Sequence, residues 1–358
     1  MSNILTPNEN TFGKSGIPVH PTWGVMDSTK IQALQDCPRK YFFSYILGWR
    51  SDTPSIHLAF GHAWHQAMEV VLTEGHSPEA VQKAYAVFMS DYVKRMQKDP
   101  MVLEELHPSK NPSNALRGLA EYTGRWHDEP ADTLYVEVAG TVPISDDRII
   151  HTKTDAIRRY PENTLHEGKI YSLEHKTTTR QTASWEEKWH YLFQVGTYYH
   201  FLKCMFPPDE VHGVVINGAI FRKGGNAFPR IPVTFSPQMW ELWVQEANHW
   251  WDYLEWNMNL LYETSPSDRV MIAFPRNSYS CSKFGCSYPH LCSVHANPLQ
   301  RCDKPPLGYI QEYWDPRRVE DEATKVVHTE KNESPDTVPS KDRSIIEQTF
   351  HLDPTAYE

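Results

Sequence analysis

The sequence lacks the two features that most often direct a chain out of the cytoplasm. Its first residues, MSNILTPNENTFGKSG, contain no cationic segment followed by an apolar run. No stretch of the chain approaches the roughly 20 apolar residues that a membrane span requires. These absences argue against a secretory signal and against a transmembrane helix. We therefore expect a protein that is soluble, intracellular and cytoplasmic.

A nucleotide-binding loop is also missing. Gly13-Lys14-Ser15 has the ending of a phosphate-binding loop, but Asn8 stands where the opening glycine of that motif belongs. We therefore do not expect this chain to carry its own motor driven by nucleotide hydrolysis.

Excess positive charge is absent, since the formal net charge of the 358 residues is -10. Residues 311–358 contribute more than half of it, with twelve acidic and six basic side chains. A local basic surface that attracts phosphate groups remains compatible with this distribution. Its candidate residues are Arg158, Arg159, Lys169, Lys176, Arg180, Arg222, Lys223 and Arg230.

The six cysteines are unevenly spaced along the chain. Cys281, Cys286 and Cys292 have the spacing C-x4-C-x5-C, which is enough to surround one metal centre but one ligand short of four. In a reducing compartment such a group favours a metal over a disulfide. Cys37 is the leading candidate for the fourth ligand, and Cys302 is the local alternative.

Residues 151–180, HTKTDAIRRYPENTLHEGKIYSLEHKTTTR, predict two β-strands joined by a polar connection. Asp155 lies in the first strand, and Glu174 and Lys176 lie in the second. Because side chains alternate along a strand, Glu174 and Lys176 share one face while His175 points to the other. If the strands are neighbours, Asp155 comes beside Glu174. Two carboxylates with a lysine at their edge suit Mg²⁺ or Mn²⁺.

Glu-x-Lys spacing alone is common, and two solvated residues on an exposed strand would explain it equally well. Further polar residues on either side shift the balance. Gly61, His65 and Glu69 recur every four residues and share one face of a predicted helix, although a lone helical histidine is more often a packing or surface residue. Gln194 and Tyr198 have the same spacing on a later helix and could be ordinary polar rim residues.

In combination these residues resemble the PD-(D/E)XK nuclease superfamily, and within it the RecB-like exonuclease branch whose members bind an iron–sulfur cluster. The matching motifs are G-x3-H at Gly61 and His65, the motif aspartate at Asp155, E-x-K at Glu174 to Lys176, and Q-x3-Y at Gln194 and Tyr198. One cysteine ahead of the core and three behind it complete the pattern. The chain departs from the family in the four residues between Cys281 and Cys286, where two are common, and in Thr154, where a proline is usual.

The resemblance implies a divalent-metal-dependent deoxyribonuclease, which hydrolyses phosphodiester bonds. It implies that His65, Asp155 and Glu174, with the backbone carbonyl of His175, bind Mg²⁺ or Mn²⁺. It also implies that Lys176 acts with Asp155 and Glu174 in catalysis.

The remaining motif residues receive their roles from the same resemblance. Gln194 and Tyr198 are implied to contact DNA. A structural 4Fe–4S cluster is implied on four cysteines, with structural Zn²⁺ as the alternative, because four thiolates suit both. The implied ligands are Cys37, Cys281, Cys286 and Cys292.

The implied activity is exonucleolytic digestion of DNA in end processing, recombination or repair. The partner would be a DNA end, chiefly single-stranded, with a helicase or recombination partner recruited in trans. Two alternatives stay open: a structure-specific endonuclease, and a DNA-end-binding or adaptation accessory module with little turnover.

We predict an α/β fold: a central mixed β-sheet flanked by helices, as in a restriction-endonuclease-like core. An N-terminal helical region and a C-terminal cysteine-cluster segment would extend it. We expect an irregular tail over 1–24, a single nuclease domain over 25–304 and a disordered acidic tail over 305–358. Within the domain we expect a helical insert over 75–130 and an iron–sulfur segment over 274–302.

Overall fold

A computed structural model of the chain describes residues 11–129, 132–281 and 286–328. The described strands are β1 (Thr11–Phe12), β2 (Ile17–Pro18), β3 (Trp49–Ser51), β4 (Asp132–Pro143), β5 (Ile149–Arg159), β6 (Ile170–Thr178), β7 (Val211–Ile220), β8 (Arg230–Val233), β9 (Tyr309–Gln311) and β10 (Lys325–His328).

The described helices are α1 (Ser28–Asp36), α2 (Pro38–Tyr41), α3 (Ile56–Glu74), α4 (Pro78–Met96), α5 (Pro100–Leu106), α6 (Pro112–Trp126), α7 (Ala183–Glu187), α8 (Phe193–Met205), α9 (Pro237–Glu263), α10 (Ser278–Cys281), α11 (Pro289–Val294) and α12 (Arg318–Asp321). Across the described ranges, none of the helices combines the length and the apolar character that crossing a membrane would need.

Three helix starts follow directly from local sequence. Ser77, Asp99 and Asn111 each accept a backbone N–H from the first turn of α4, α5 or α6, and a proline follows each of them. The cap satisfies a donor that the helix leaves unpaired, while the proline has no N–H to satisfy. Hydrophobic periodicity predicts α4 and α6, but it misses the short α5 between them.

Within the described residues, the central sheet has the strand order β10-β4-β5-β6-β7-β8. The pairs β10–β4 and β6–β7 are parallel, whereas β5–β6 and β7–β8 are antiparallel. On β6, the His175 ring meets His65 of α3, and the next side chain, Lys176, lies over the Tyr198 ring of α8. Because side chains alternate along a strand, α3 and α8 cover opposite faces of the sheet. The predicted α/β fold with a mixed sheet flanked by helices is confirmed.

The described chain divides into two compact units, where the sequence analysis predicts a single domain. The described residues of the cysteine unit are 11–53, 143–151, 237–281 and 286–318. Those of the sheet unit are 54–129, 132–142, 152–236 and 319–328. Both units are assembled from discontinuous segments, which periodicity along the chain does not reveal.

Two segments that were expected to be irregular contain strands. β1 pairs with β2 inside the predicted N-terminal tail over 1–24. β9 pairs with β3, and β10 pairs with β4 at the edge of the central sheet, although both lie in the predicted acidic tail over 305–358. Val327 is 1 % exposed, so β10 gains an apolar contact that the acidic composition around it conceals. The remainder of that tail, from residue 329, lies outside the described residues.

Part of the predicted basic surface is wrong. Arg158 is 6 % exposed and donates from Nη1 to Glu129 Oε2 at 2.7 Å. Arg230 contacts the other oxygen of the same carboxylate. The two arginines therefore neutralise a carboxylate inside the sheet unit rather than presenting charge to a polyanion.

The core of the sheet unit is aromatic and joins the predicted helical insert to α3. Phe221, directly after β7, meets Phe60 and Trp64 at ring-centroid distances of 4.7 and 4.9 Å, edge to face in both cases. Phe88 of α4 also meets Phe60, at 5.1 Å. All four side chains are buried, so α3 and the insert share one core.

We expect Phe221→Ala to lower the free energy of unfolding by about 3–5 kcal/mol, because it removes buried ring contacts and leaves a cavity. Chemical denaturation followed by circular dichroism measures the change. Leu165→Ala is the control, since Leu165 is 92 % exposed and its loss should change stability by less than about 0.5 kcal/mol. Equal effects of the two substitutions would contradict this description of the core.

Candidate active site

β5 and β6 stop pairing where the predicted acidic residues lie. Their antiparallel register ends with Ala156 opposite Leu173, one position short of Asp155 and Glu174. Asp155 Oδ2 accepts a hydrogen bond from the backbone N–H of His175 at 2.7 Å. Glu174 Oε1 accepts one from the backbone N–H of Asp155 at 3.3 Å. Each carboxylate thus satisfies a donor of the opposite strand, and we call this arrangement of Asp155, Glu174 and His175 the strand fork.

The Glu174 carboxylate is 1 % exposed and held by two buried hydroxyls. Thr154 Oγ1 and Ser172 Oγ donate to its Oε1 at 2.5 and 3.0 Å, and the two hydroxyls also contact each other. The Lys176 ammonium lies 3.9 Å from the other oxygen, Oε2. These hydroxyls hold Oε1 in place and leave Oε2 facing the Lys176 ammonium.

Asp155 is joined to α3 through His65. Its Oδ1 lies 3.2 Å from His65 Nδ1. Gly61 precedes His65 by one helical turn, and a Cβ at that position would lie 3.3 Å from Thr177 Oγ1 on β6. The Gly-x3-His spacing therefore couples a close helix–strand approach to a histidine that reaches the fork.

Lys176 and the two residues predicted on α8 lie on the other face of the sheet. Lys176 Nζ is 5.8 Å from the centroid of the Tyr198 ring, and Tyr198 is 4 % exposed. Gln194 is half-buried and lies one turn earlier on α8, on the same side of the helix. The structure thus brings Lys176 and Tyr198 together and places Gln194 next to Tyr198 along α8.

The His175 imidazole is buried on the α3 side and is neutral. Asn217 Nδ2 lies 2.8 Å from its Nδ1, so with Asn217 as the donor the ring proton is on Nε2. Arg230 Nε donates to Asn217 Oδ1 at 3.2 Å, which fixes the amide in turn. Burial lowers the pKa of His175 to about 3. A rigid neutral side chain therefore anchors the backbone at the centre of the fork.

The charges at the fork are unequal. Burial, reinforced by the Asp155 charge, raises the pKa of Glu174 to about 8. Burial acts to raise the pKa of Asp155, but its interactions with His65, His175 and Lys176 together lower that pKa well below its usual range. Burial opposes protonation of His65, yet Asp155 raises the pKa of that imidazole overall. Asp155 is therefore ionised, while Glu174 needs a further positive charge to be ionised at neutral pH.

The donor chemistry of the fork fits a hard divalent cation. In residues 11–129, 132–281 and 286–328, no three or more His, Cys, Asp or Glu side chains are arranged as a complete metal-binding group. Mg²⁺, however, is usually held by one or two carboxylates and completes its shell with water and substrate phosphates. Asp155 and Glu174 supply two such carboxylates, and the raised pKa of Glu174 reflects a deficit of positive charge.

Sequence reasoning missed three residues of this neighbourhood. The signal for Ser172 and Thr154 was their polarity in otherwise apolar strands, and Ser172 precedes Glu174 by two positions on the same face. Glu137 of β4 is 5 % exposed, and its Oε2 lies 2.6 Å from Lys153 Nζ. Burial and the Asp155 charge raise the pKa of Glu137 to about 7. An acidic residue among the apolar residues of LYVEVAG, at positions 134–140, was the signal for it.

Three cysteines of the cysteine unit lie within electrostatic range of Cys292. Burial raises the pKa of Cys292 to about 11; the Arg39 charge opposes this, while Cys37, Cys286 and Cys281 act in the same direction as burial. In the described part of the chain, these thiols are not arranged as a metal-binding group of three or more. Residues 282–285, between Cys281 and Cys286, lie outside the described residues.

Hydrogen bonds join the segment before these cysteines to the end of α1. The backbone N–H of Asn277 donates to Cys37 Sγ at 3.4 Å, and its side chain donates to the Asp36 carbonyl at 2.9 Å. Ser280 Oγ donates to the same carbonyl at 2.6 Å. Cys302 differs, because burial and the charge of Asp303 raise the pKa of its thiol to about 11. Its thiol donates to the Leu299 carbonyl at 3.3 Å, as that of Cys281 donates to the Asn277 carbonyl at 3.5 Å.

The family model of the PD-(D/E)XK nuclease superfamily matches residues 28–293. Nine chains of solved structures match. One, the crystal structure of SSO0001, is 13 % identical with a TM-score of 0.25, covering 62 % of this chain and 74 % of that chain, which is too low to support an argument. A search of curated proteins returns no match. Because the family model spans well over half of its length, the chain belongs to the PD-(D/E)XK nuclease superfamily.

Proposed function

We propose that this chain is a divalent-metal-dependent DNA exonuclease of the RecB-like type, acting at DNA ends in recombination or repair. The strand fork carries the proposal, since it places two buried carboxylates of adjacent strands together with Lys176 beside Glu174. Phosphodiester hydrolysis needs an activated water and neutralisation of the charge that develops on the phosphoryl oxygens. A divalent ion bound at the fork supplies both.

Asp155 and Glu174 would bind Mg²⁺ or Mn²⁺. His65 and the backbone carbonyl of His175 would be the remaining protein ligands. His65 Nδ1 faces Asp155 Oδ1, so an ion held by both residues would take the place of this contact. An imidazole ligand is softer than a carboxylate and favours Mn²⁺ over Mg²⁺.

Lys176 would orient the attacking water or stabilise the developing negative charge. Its ammonium is steered by Glu174 Oε2 on one side and by the Tyr198 ring on the other. Gln194 and Tyr198 would position the scissile strand from α8. Without a motor of its own, the chain would digest single-stranded ends or act with a helicase or recombination partner in trans.

With Mn²⁺, we expect the wild-type protein to shorten end-labelled linear DNA and to leave covalently closed circular DNA intact. Asp155→Asn, Glu174→Gln and Lys176→Ala should each lower the rate about 100-fold or more, because each removes a group placed at the reacting atoms. Denaturing gels of a time course measure both results.

Glu162→Gln and Lys98→Gln are the matched controls, since both side chains are exposed in the sheet unit. Thermal melts establish that every variant is folded. Cleavage of the closed circle would favour the endonuclease, and slow, variant-independent cleavage would favour a binding module with little turnover. A fully active variant would refute the role given to its residue.

Metal affinity should depend on pH. The pKa of Glu174, about 8 without metal, means that the carboxyl group must lose a proton to bind a cation. We expect Mn²⁺ affinity to fall as the pH drops from about 8.5 to about 6.5, by up to about tenfold per pH unit below the pKa. Calorimetric titration should show a shallower dependence for Glu174→Gln, which has no proton to lose. The same slope in both proteins would contradict the assignment of Glu174.

For the cysteine unit we further propose a structural 4Fe–4S cluster on Cys37, Cys281, Cys286 and Cys292. The influence of Cys37, Cys281 and Cys286 on Cys292 supports the set, and the N–H donated to Cys37 is of the kind that tunes cluster sulfurs. Burial disfavours the thiolate of Cys292, which a bound metal would stabilise. Zn²⁺ is the alternative occupant.

Protein purified without oxygen should be brown, with broad visible absorption and about four irons per chain. Cys37→Ser should lose colour and iron. Cys302→Ser should keep both, because Cys302 lies outside the proposed ligand set. A colourless protein that contains zinc would overturn the cluster, and equal losses in the two variants would overturn the ligand set.

A further inference from the structure

A second polar cluster lies in the sheet unit, where α3, the segment after α5 and the end of β6 meet. It contains one buried lysine, two histidines and a hydroxyl. Its members are His57, His107, Lys110 and Thr177. We call it the Lys110 cluster.

Lys110 is a buried cation with few protein partners. Its side chain is 3 % exposed, donates from Nζ to Thr177 Oγ1 at 3.3 Å and lies 5.6 Å from the centroid of the Phe60 ring. Among the described residues, no carboxylate forms an ion pair with it. An ammonium has three N–H donors, and buried lysines are ordinarily paired with an anion. This site therefore has positive charge and free donors that the described protein does not satisfy.

Lys110 is charged at neutral pH despite its burial. Burial lowers the pKa of Lys110 to about 8, so the ammonium still predominates at neutral pH. His107 Nδ1 accepts the backbone N–H groups of Ser109 and Lys110 at 3.1 and 3.0 Å, which leaves the ring proton on Nε2 as a donor. His57 packs against His107 at a ring-centroid distance of 5.3 Å and is exposed. The cation and the His107 donor thus lie beside an exposed histidine.

The cluster is close to the strand fork along two elements. Thr177 follows Lys176 and lies two residues beyond His175, about 7 Å along β6. Gly61, which approaches Thr177, is one turn of α3 before His65. The Lys110 cluster therefore lies beside the strand fork, on the face of the sheet that α3 covers.

We propose that the Lys110 cluster binds a backbone phosphate of the DNA strand next to the scissile phosphate. The inference rests on the proposed nuclease function and extends it by assigning a second phosphate site. The ammonium supplies the charge, and the imidazole of His107 and the hydroxyl of Thr177 supply hydrogen bonds. Such contacts position a strand without reading its sequence.

Binding of a fluorescent oligothymidine, followed by anisotropy with Ca²⁺ in place of Mg²⁺, tests the site without requiring turnover. Lys110→Gln should weaken binding roughly tenfold, since it removes a charge-assisted hydrogen bond. It should also lower the slope of log affinity against log salt by about 0.7, the share of one phosphate contact on a single strand. Lys94→Gln, on the exposed surface of α4, should change neither.

Neutral methylphosphonates placed one at a time along the strand locate the contact. In the wild-type protein, one position beside the scissile phosphate should weaken binding by about the same factor as Lys110→Gln. In the variant, that position should have no further effect. His57→Gln, an exposed change that leaves the core intact, is the second variant and should reduce the effect of the same position.

An unchanged salt slope in Lys110→Gln, or a methylphosphonate effect that persists in both variants, would overturn the phosphate site and leave Lys110 as a packing residue. A failure of the proposed nuclease function would give a different result from a failure of the phosphate site. In that case the wild-type protein cuts no substrate with Mg²⁺ or Mn²⁺, whatever the binding data show.

Discussion

The hydrogen bonds that the two carboxylates accept from backbone N–H groups at the ends of β5 and β6 are the constraint on which the site depends. Ladder bonds between strands would satisfy the same N–H groups and leave both side chains free to turn away. Here Asp155 caps the backbone of His175, and Glu174 caps the backbone of Asp155, so neither acid can leave without exposing a buried donor. The same hydrogen bonds therefore end the pairing of β5 with β6 and fix the positions of both carboxylates.

That placement has an electrostatic consequence. Two acids held this close in a buried site cannot both be ionised without a cation. Their surroundings shift the two pKa values in opposite directions. His65 stabilises the charge on Asp155, whereas burial keeps the proton on Glu174. The charge of Lys176 alone does not lower the pKa of Glu174 enough to ionise it at neutral pH. A site that needs positive charge and offers hard oxygen atoms is suited to a dication together with a phosphate, which is the combination that nuclease chemistry uses.

Much of the fold could be predicted from the sequence, because its signals are local. Caps followed by proline mark α4 and α6, and alternation along β6 separates Lys176 from His175. The rest depends on partners far away in the chain. Arg158 and Arg230 look like surface charges until Glu129 is placed between them, and β10 looks like part of an acidic tail until β4 provides its partner. The discontinuous units and the hydroxyls that bind Glu174 are further features that local sequence signals do not reveal.

The account stands on a single claim, that the strand fork holds a divalent ion between Asp155 and Glu174. Anomalous X-ray scattering from crystals of the whole chain grown with Mn²⁺ tests it most directly. We predict one strong manganese peak within bonding distance of an oxygen of each carboxylate, and its loss in Glu174→Gln. Manganese bound elsewhere, with both carboxylates still bonded only to protein groups, would contradict the account.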